Sequence, residues 1–265
     1  MQEIDLLANL DLYSWQVISL LLIAGFLVGF INTIAGSGTV ITYSLFMMLG
    51  LPANIANGTI RLGVVMQTLI AGLNFRKHKK LDFKKGFKLA LPVIIGSILG
   101  AQIAATLDES IFRKILAGVL IIMLFFIFTD PNRWLKDQLH LIHKKPGFVQ
   151  LSIFFGIGLY GGFIHIGVGI ILLSAIVLNA GYDLVKANAI KIMIVFLYSP
   201  FALAVFMMNS QVNYGIGLIA AIGNIAGGLV GSNMAISRGN QFVRWILMAV
   251  ILLFAGYLLD IPSLL

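Results

Sequence analysis

Along the chain, long apolar runs are separated by short polar clusters, and the runs do not alternate polar and apolar with period two as barrel strands do. They fall at about 13–35, 39–50, 54–75, 87–107 and 112–129, then at about 148–166, 170–181, 185–208, 215–236 and 242–260. A helix needs about 20 apolar residues to cross the hydrocarbon core, and most of the runs reach that length. The runs 39–50 and 170–181 do not, and each follows a glycine-flanked turn, Gly36-Ser37-Gly38 or Gly167-Val168-Gly169. The pattern predicts an all-α integral membrane protein in which 13–50 and 148–181 are broken hairpins. Each hairpin would hold a long arm, a glycine break and a half-helix.

The two series of runs also correspond residue by residue. An offset of 131 residues brings Gly25 onto Gly156, Gly36 onto Gly167, Gly38 onto Gly169 and Gly50 onto Gly181. The same offset lays Ala56-Asn57 on Ala187-Asn188, Gly96 and Gly100 on Gly227 and Gly231, and Arg113 on Arg244. A register held without gaps over about ninety residues points to two homologous repeats. The expected organisation is an N-terminal segment 1–12, repeat 1 over 13–129, a polar linker 130–147, repeat 2 over 148–260 and a tail 261–265. Loop charge suggests how the repeats are oriented. The loop after 54–75 is strongly basic in repeat 1, whereas its counterpart near 207–214 is uncharged. The loop at 107–111 carries Asp108 and Glu109, whereas its counterpart near 238–244 carries Arg238 and Arg244. Basic loops mark the cytoplasmic side, so the exchange predicts an inverted topology, each half with about three full crossings and one broken glycine-rich hairpin.

Composition removes the soluble alternative. Hydrophobic residues make up 60% of the chain and charged residues only 11%, against about 25% charged in a soluble domain. The net charge of +8 does not point to nucleic acid, because seven of the eighteen Lys and Arg crowd into Arg76–Lys88 between two apolar runs. That is a cytoplasmic loop by the positive-inside pattern. With no cysteine, disulfides and thiol chemistry are excluded. Glu3, Asp5 and Asp11, with no basic residue before Arg61, argue against a cleavable signal peptide.

The glycine breaks carry the first candidate chemistry. A helix interrupted at bilayer depth needs protein or water to satisfy its ends, and the half-helices from Thr39 and Ile170 would aim free N–H groups and positive dipole ends inward. Two such ends meeting make an anion site, with Asn32, Thr33, Gly36, Ser37, Gly38 and Thr39 at one break and Gly167 and Gly169 at the other. The plainer alternative is that these glycines only permit close helix packing. ANGTIR (56–61) and ANAIK (187–191) add a second pair of features. Pro52 and Asp183 mark the starts of their helices, and Asn57 and Arg61 share a face that continues to Thr68, as Asn188 and Lys191 share another. A cation this deep costs about 2.5–3.5 kcal/mol. The acidic residues all fall near termini, in loops or at the ends of the runs, so none is placed to neutralise either one. The missing partner would then be an anionic ligand, unless each side chain snorkels to the nearer interface. His165 could carry a coupling proton, donate to the anion, or bond a neighbouring carbonyl. Gln67, Asn74, Tyr198 and Asn224 are isolated polar positions that could line a pore. There is no phosphate-binding loop, no metal-ligand cluster and no nucleophile or paired-carboxylate set, so neither an enzyme nor a metal or other cofactor is expected.

GFINTIAGSGTVIT and LGLPANIANGTIRLG, with YGGFIHIGVGIILLSAIVLNAGYDLVKANAIK and the late RGNQFVRWIL, resemble the two repeats and the ending of the sulfite exporter TauE/SafE (TSUP) family. The resemblance implies a multi-pass transporter in the cell membrane, the inner membrane in bacteria, for small sulfur-containing anions such as sulfite, sulfoacetate or other sulfonates. The chain departs from the family pattern at the thinned turn Gly36-Ser37-Gly38 and at His165. The expected function is a secondary transporter, an exporter, working by alternating access. Its anion would be held by the half-helix ends with Asn32, Asn57, Arg61, His165, Asn188 and Lys191. An anion channel of the same architecture and a membrane scaffold docking through the basic loop are the alternatives. The partners are a small anion and the lipid bilayer, with a homo-oligomer left open.

Overall fold

The computed structural model describes residues 11–112, 114, 115, 118 and 147–260. The linker 130–147 (apart from Gly147), most of the run 112–129, the tail 261–265 and all but the last two residues of the segment 1–12 lie outside them. Among the described residues the chain is helical, with turns and no strand. The helices are α1 Trp15–Ile34, α2 Thr39–Met48, α3 Ala53–Lys77, α4 Phe83–Thr106, α5 Phe148–Phe163, α6 Val168–Ala180, α7 Leu184–Met208 and α8 Tyr214–Asp260. The 131-residue offset carries α3 onto α7 end for end and the start of α4 onto the start of α8.

Local chemistry explains most boundaries. Ser14 caps α1 through Val17 N, and Asp183 caps α7 by accepting from Lys186 N at 3.1 Å, as expected. Glu109 reaches across to accept from Ala53 N at the start of α3 (3.2 Å), where Pro52 offers no side-chain cap. The runs 215–236 and 242–260 are two helical stretches on either side of a break at Gly239, as the sequence suggests. The label α8 covers both stretches, and the chain leaves helical geometry between them at Gly239 (φ 71°, ψ −164°), a backbone conformation open to glycine.

Among the described residues, four helices are long and apolar enough to cross a membrane: α1, α4, α7 and the 214–249 part of α8. The expected three full crossings per half are thus not all reproduced among the described residues. α3 has 25 residues, the length of a span, but carries Asn57, Thr59, Arg61, Gln67 and Thr68, all buried. Its polar face is covered by protein rather than lipid. α1 lies on α8, α4 on α5, and α3 runs between α7 and α8. Small residues make the first two contacts close. A Cβ on Gly100 would stand 2.0 Å from Leu159 O, and one on Gly227 would stand 2.0 Å from Phe26 O, the packing expected of small-residue stripes between membrane helices. The outer faces of α1, α4 and α8 expose Ile23, Ile95 and Ile222, an apolar belt that suits acyl chains.

Candidate functional site

The two glycine breaks meet inside the protein. α1 stops at Ala35, and Gly36 (φ 91°) turns the chain toward α2. α5 stops at Phe163, Ile164 is extended, and Gly167 (φ 73°) turns the chain into α6 at Val168, two residues before the expected start. Gly169 N–H donates to Gly36 O at 3.1 Å. A Cβ on either glycine would lie 2.4 Å from the other's Cα, so the contact is backbone on backbone. Thr39 Oγ1 donates to His165 O at 3.5 Å and ties the breaks a second time.

The half-helix ends are less open than the sequence suggests. Gly38 N–H, expected to face an anion, donates instead to Asn32 Oδ1 at 2.7 Å, and Gly169 N–H is taken by Gly36 O. The reason is burial: a main-chain donor shut away from water must find a protein partner. Ser37 Oγ is buried and unpartnered.

The two cations are also partnered, and in a crossed fashion. Arg61 on α3 donates from Nη1 to Gly161 O (3.2 Å) and from Nη2 to Gly162 O (2.6 Å), in the last turn of α5. Asn57 Nδ2 takes the final carbonyl of that helix, Phe163 O, at 2.8 Å. Arg61 also lies 4.7 Å from the centre of the Phe206 ring, a cation–π contact. Lys191 on α7 donates to Asn32 O (3.0 Å) and Thr33 O (3.3 Å), in the last turn of α1. Each cation therefore satisfies the orphan carbonyls and negative dipole end of an arm from the other half of the chain. The expectation that both lack a partner is corrected on this point, and neither snorkels, since both are buried. No carboxylate among the described residues pairs with either.

A cavity opens where the breaks touch. Its lining includes Asn32, Gly36, Gln67, His165, Gly169 and Lys191, with Thr68 and Val195. Arg61, Asn57, Asn188, Ser37, Gly38, Thr39 and Gly167 do not line it. An ammonium has three N–H donors and two of Lys191's are used, so one is left on a residue of the lining. Asn32 accepts through Oδ1, and no described residue engages its Nδ2. Asn188, fully buried, has no partner for either polar atom. Of the isolated polar positions, Gln67 lines the cavity. Asn74 bonds Ser232 and Asn233, and Asn224 packs on Gly63. No group of three metal-ligating side chains occurs among the described residues.

The family model described as sulfite exporter TauE/SafE matches residues 21–258, which span α1 through nearly all of α8. The chain belongs to the sulfite exporter TauE/SafE family. Among the proteins the chain is similar to, a probable membrane transporter protein of Haemophilus influenzae is 30% identical over 230 residues, 86% of this chain and 89% of that one. The probable membrane transporter protein ORF9 of a Sinorhizobium species is 28% identical over 252 residues, 94% and 95% of the two chains. The probable membrane transporter protein YfcA of Escherichia coli K12 is 24% identical over 239 residues, 89% and 87% of the two. No solved structure matches. Family membership, relatives named as transporters and the long apolar helices together make this TauE/SafE chain a multi-pass membrane protein.

Proposed function

We propose that this TauE/SafE chain is a secondary transporter, an exporter, that carries a small sulfur-containing anion such as sulfite or a sulfonate by alternating access. One observation supports the site above all. Lys191, buried and without a carboxylate among the described residues, lines a cavity at the contact of two broken helices. A positive charge held among dipoles in a low-dielectric interior favours an anion over a neutral or cationic solute. The anion would accept from the remaining N–H of Lys191 and from Asn32 Nδ2, against the backbone of Gly36 and Gly169. Ser37, Gly38, Thr39 and Gly167 shape the two turns. Asn57 and Arg61 finish the end of α5, and Asn188 stands one turn before Lys191 on α7.

Two repeats, 13–129 and 148–260, in inverted topology would suit this cycle. The recurrence of α1–α4 as α5–α8 and the exchange of basic loops support that architecture. Rocking of the arms about the Gly36–Gly169 contact would open the cavity to either side in turn.

Sulfite flux into liposomes tests this directly. The wild-type chain is expected to give saturable flux, and Lys191→Met to lose most of it while remaining folded. A wild-type chain that moves no sulfur oxyanion defeats the substrate class. Unchanged flux in Lys191→Met defeats the site and leaves membership of the transporter family standing.

A further inference from the structure

We infer that Tyr198 sets His165 as a hydrogen-bond donor to the transported anion, by holding Nδ1 as an acceptor so that the ring proton sits on Nε2. The inference rests on the anion site proposed above and assigns a positioning residue to it. Tyr198 lies on α7 seven residues after Lys191, on the face that also presents Val195 to the cavity. It is fully buried, and its hydroxyl stands 3.0 Å from His165 Nδ1. A buried phenol needs an acceptor for its proton. His165 Nδ1 stands within hydrogen-bond distance, whereas the Oγ of the adjacent Ser199 makes no hydrogen bond by distance and angle, so the hydroxyl donates and Nδ1 accepts.

A neutral imidazole has one donor and one acceptor nitrogen. With Nδ1 accepting, Nε2 carries the hydrogen. His165 lines the cavity, and no described residue engages Nε2. The opposite tautomer would incur two penalties at once: an orphaned phenol proton in the interior and a lone pair turned toward an anion. Packing holds the pair in place. The main chain of His165 is bonded through its carbonyl to Thr39 Oγ1. A Cβ on Gly161 would come 3.0 Å from the Tyr198 hydroxyl oxygen, so the ring is seated against a glycine of α5. The ligand class follows from the donors. Lys191, Asn32 and His165 together suit an oxyanion with several acceptor oxygens.

The test combines a spectroscopic readout with transport. Chain labelled with 15N-histidine in lipid nanodiscs is compared by two-bond proton–nitrogen NMR as wild type, His165→Gln (which assigns the signal) and Tyr198→Phe. The wild type is expected to show His165 as the Nε2–H tautomer, and Tyr198→Phe to lose that uniformity. In liposomes, Tyr198→Phe is expected to raise the sulfite KM roughly tenfold or more, the scale of one weakened hydrogen bond to a charged ligand, with a smaller change in maximal flux. His165→Gln places an amide N–H near the former Nε2 position and should keep most of the affinity. Adding Tyr198→Phe to it should then change nothing further. A wild-type Nδ1–H tautomer, or a wild-type KM in Tyr198→Phe, overturns the inference. Should Tyr198→Phe fail to fold, the wild-type tautomer and the KM of His165→Gln decide it. A wild-type chain that carries no sulfur oxyanion removes the transport reading, and the tautomer result still reports separately on Tyr198.

Discussion

Three glycine-to-alanine substitutions separate the two demands that the crossing of the breaks makes on its residues. Gly50 has φ 86° and nothing within 4 Å of where a methyl would stand, so alanine there adds backbone strain alone. Gly169 is not in the left-handed region, but a Cβ would meet Gly36 Cα at 2.4 Å and Gly36 O at 2.6 Å, so alanine adds a clash alone. Gly36 combines φ 91° with a Cβ position 2.4 Å from Gly169 Cα and 2.5 Å from its carbonyl carbon. Strain of this kind costs about 1–2 kcal/mol. Overpacking costs about 1–3 kcal/mol, and here no side chain can rotate away because both surfaces are main chain. Gly50→Ala should therefore cost about 1–2 kcal/mol, Gly169→Ala about 1–3 and Gly36→Ala about 2–5, taking the two terms as additive. Thermal melting of the purified variants should rank Gly50→Ala first, Gly169→Ala second and Gly36→Ala last, with sulfite flux falling in the same order. Wild-type stability in Gly169→Ala, or a larger loss in Gly50→Ala than in Gly36→Ala, would refute the claim that the breaks touch.

Arg61→Lys keeps the charge but replaces the two-pronged cap of Gly161 O and Gly162 O with a point donor. It should lower stability by about 1–3 kcal/mol with an unchanged sulfite KM, since Arg61 does not line the cavity; a raised KM at wild-type stability would return Arg61 to the ligand site. At the basic loop, Asp82 caps α4 through Lys85 N and accepts from the Tyr182 hydroxyl after α6. Partial burial alone would raise the Asp82 carboxyl, but the Tyr182 hydroxyl, the Lys85 and Lys84 amides and the Lys85 charge outweigh it, and the net effect holds it below its usual 3.8. A depressed carboxylate contributes stability that is complete above its unfolded value and is lost as pH falls through the folded one. Melting of the wild type should thus drop in acid below 3.8 more steeply than that of Tyr182→Phe; parallel curves would show that the contact adds nothing.

Much of this architecture is legible in the sequence because glycine and capping residues punctuate it locally. The runs 54–75 and 185–208 anticipate α3 and α7 closely, and both broken hairpins stop and restart at their glycines. What stays hidden there depends on main-chain atoms brought together from afar. Arg61 and Lys191 are visible as buried charges, but their partners are carbonyls 100 and 159 residues away, which no pattern of side chains reveals. The expectation that Gly38 N–H stays free fails for a related reason, since Asn32 lies only six residues back but bonds it only once α1 has ended. Tyr198 stands out as an isolated polar residue; its pairing with His165 arises only when α7 packs beside the break. The break between 215–236 and 242–260, by contrast, is legible locally, since Gly239 takes the non-helical backbone that ends the first stretch.

Arg61 and Asn57 complete α5, and Lys191 completes α1, so neither stretch of the chain is a free-standing unit. Severed between the two, each fragment would keep a charged side chain with nothing to hold and a row of bare peptide oxygens in oil. The fragments should accumulate only when made together.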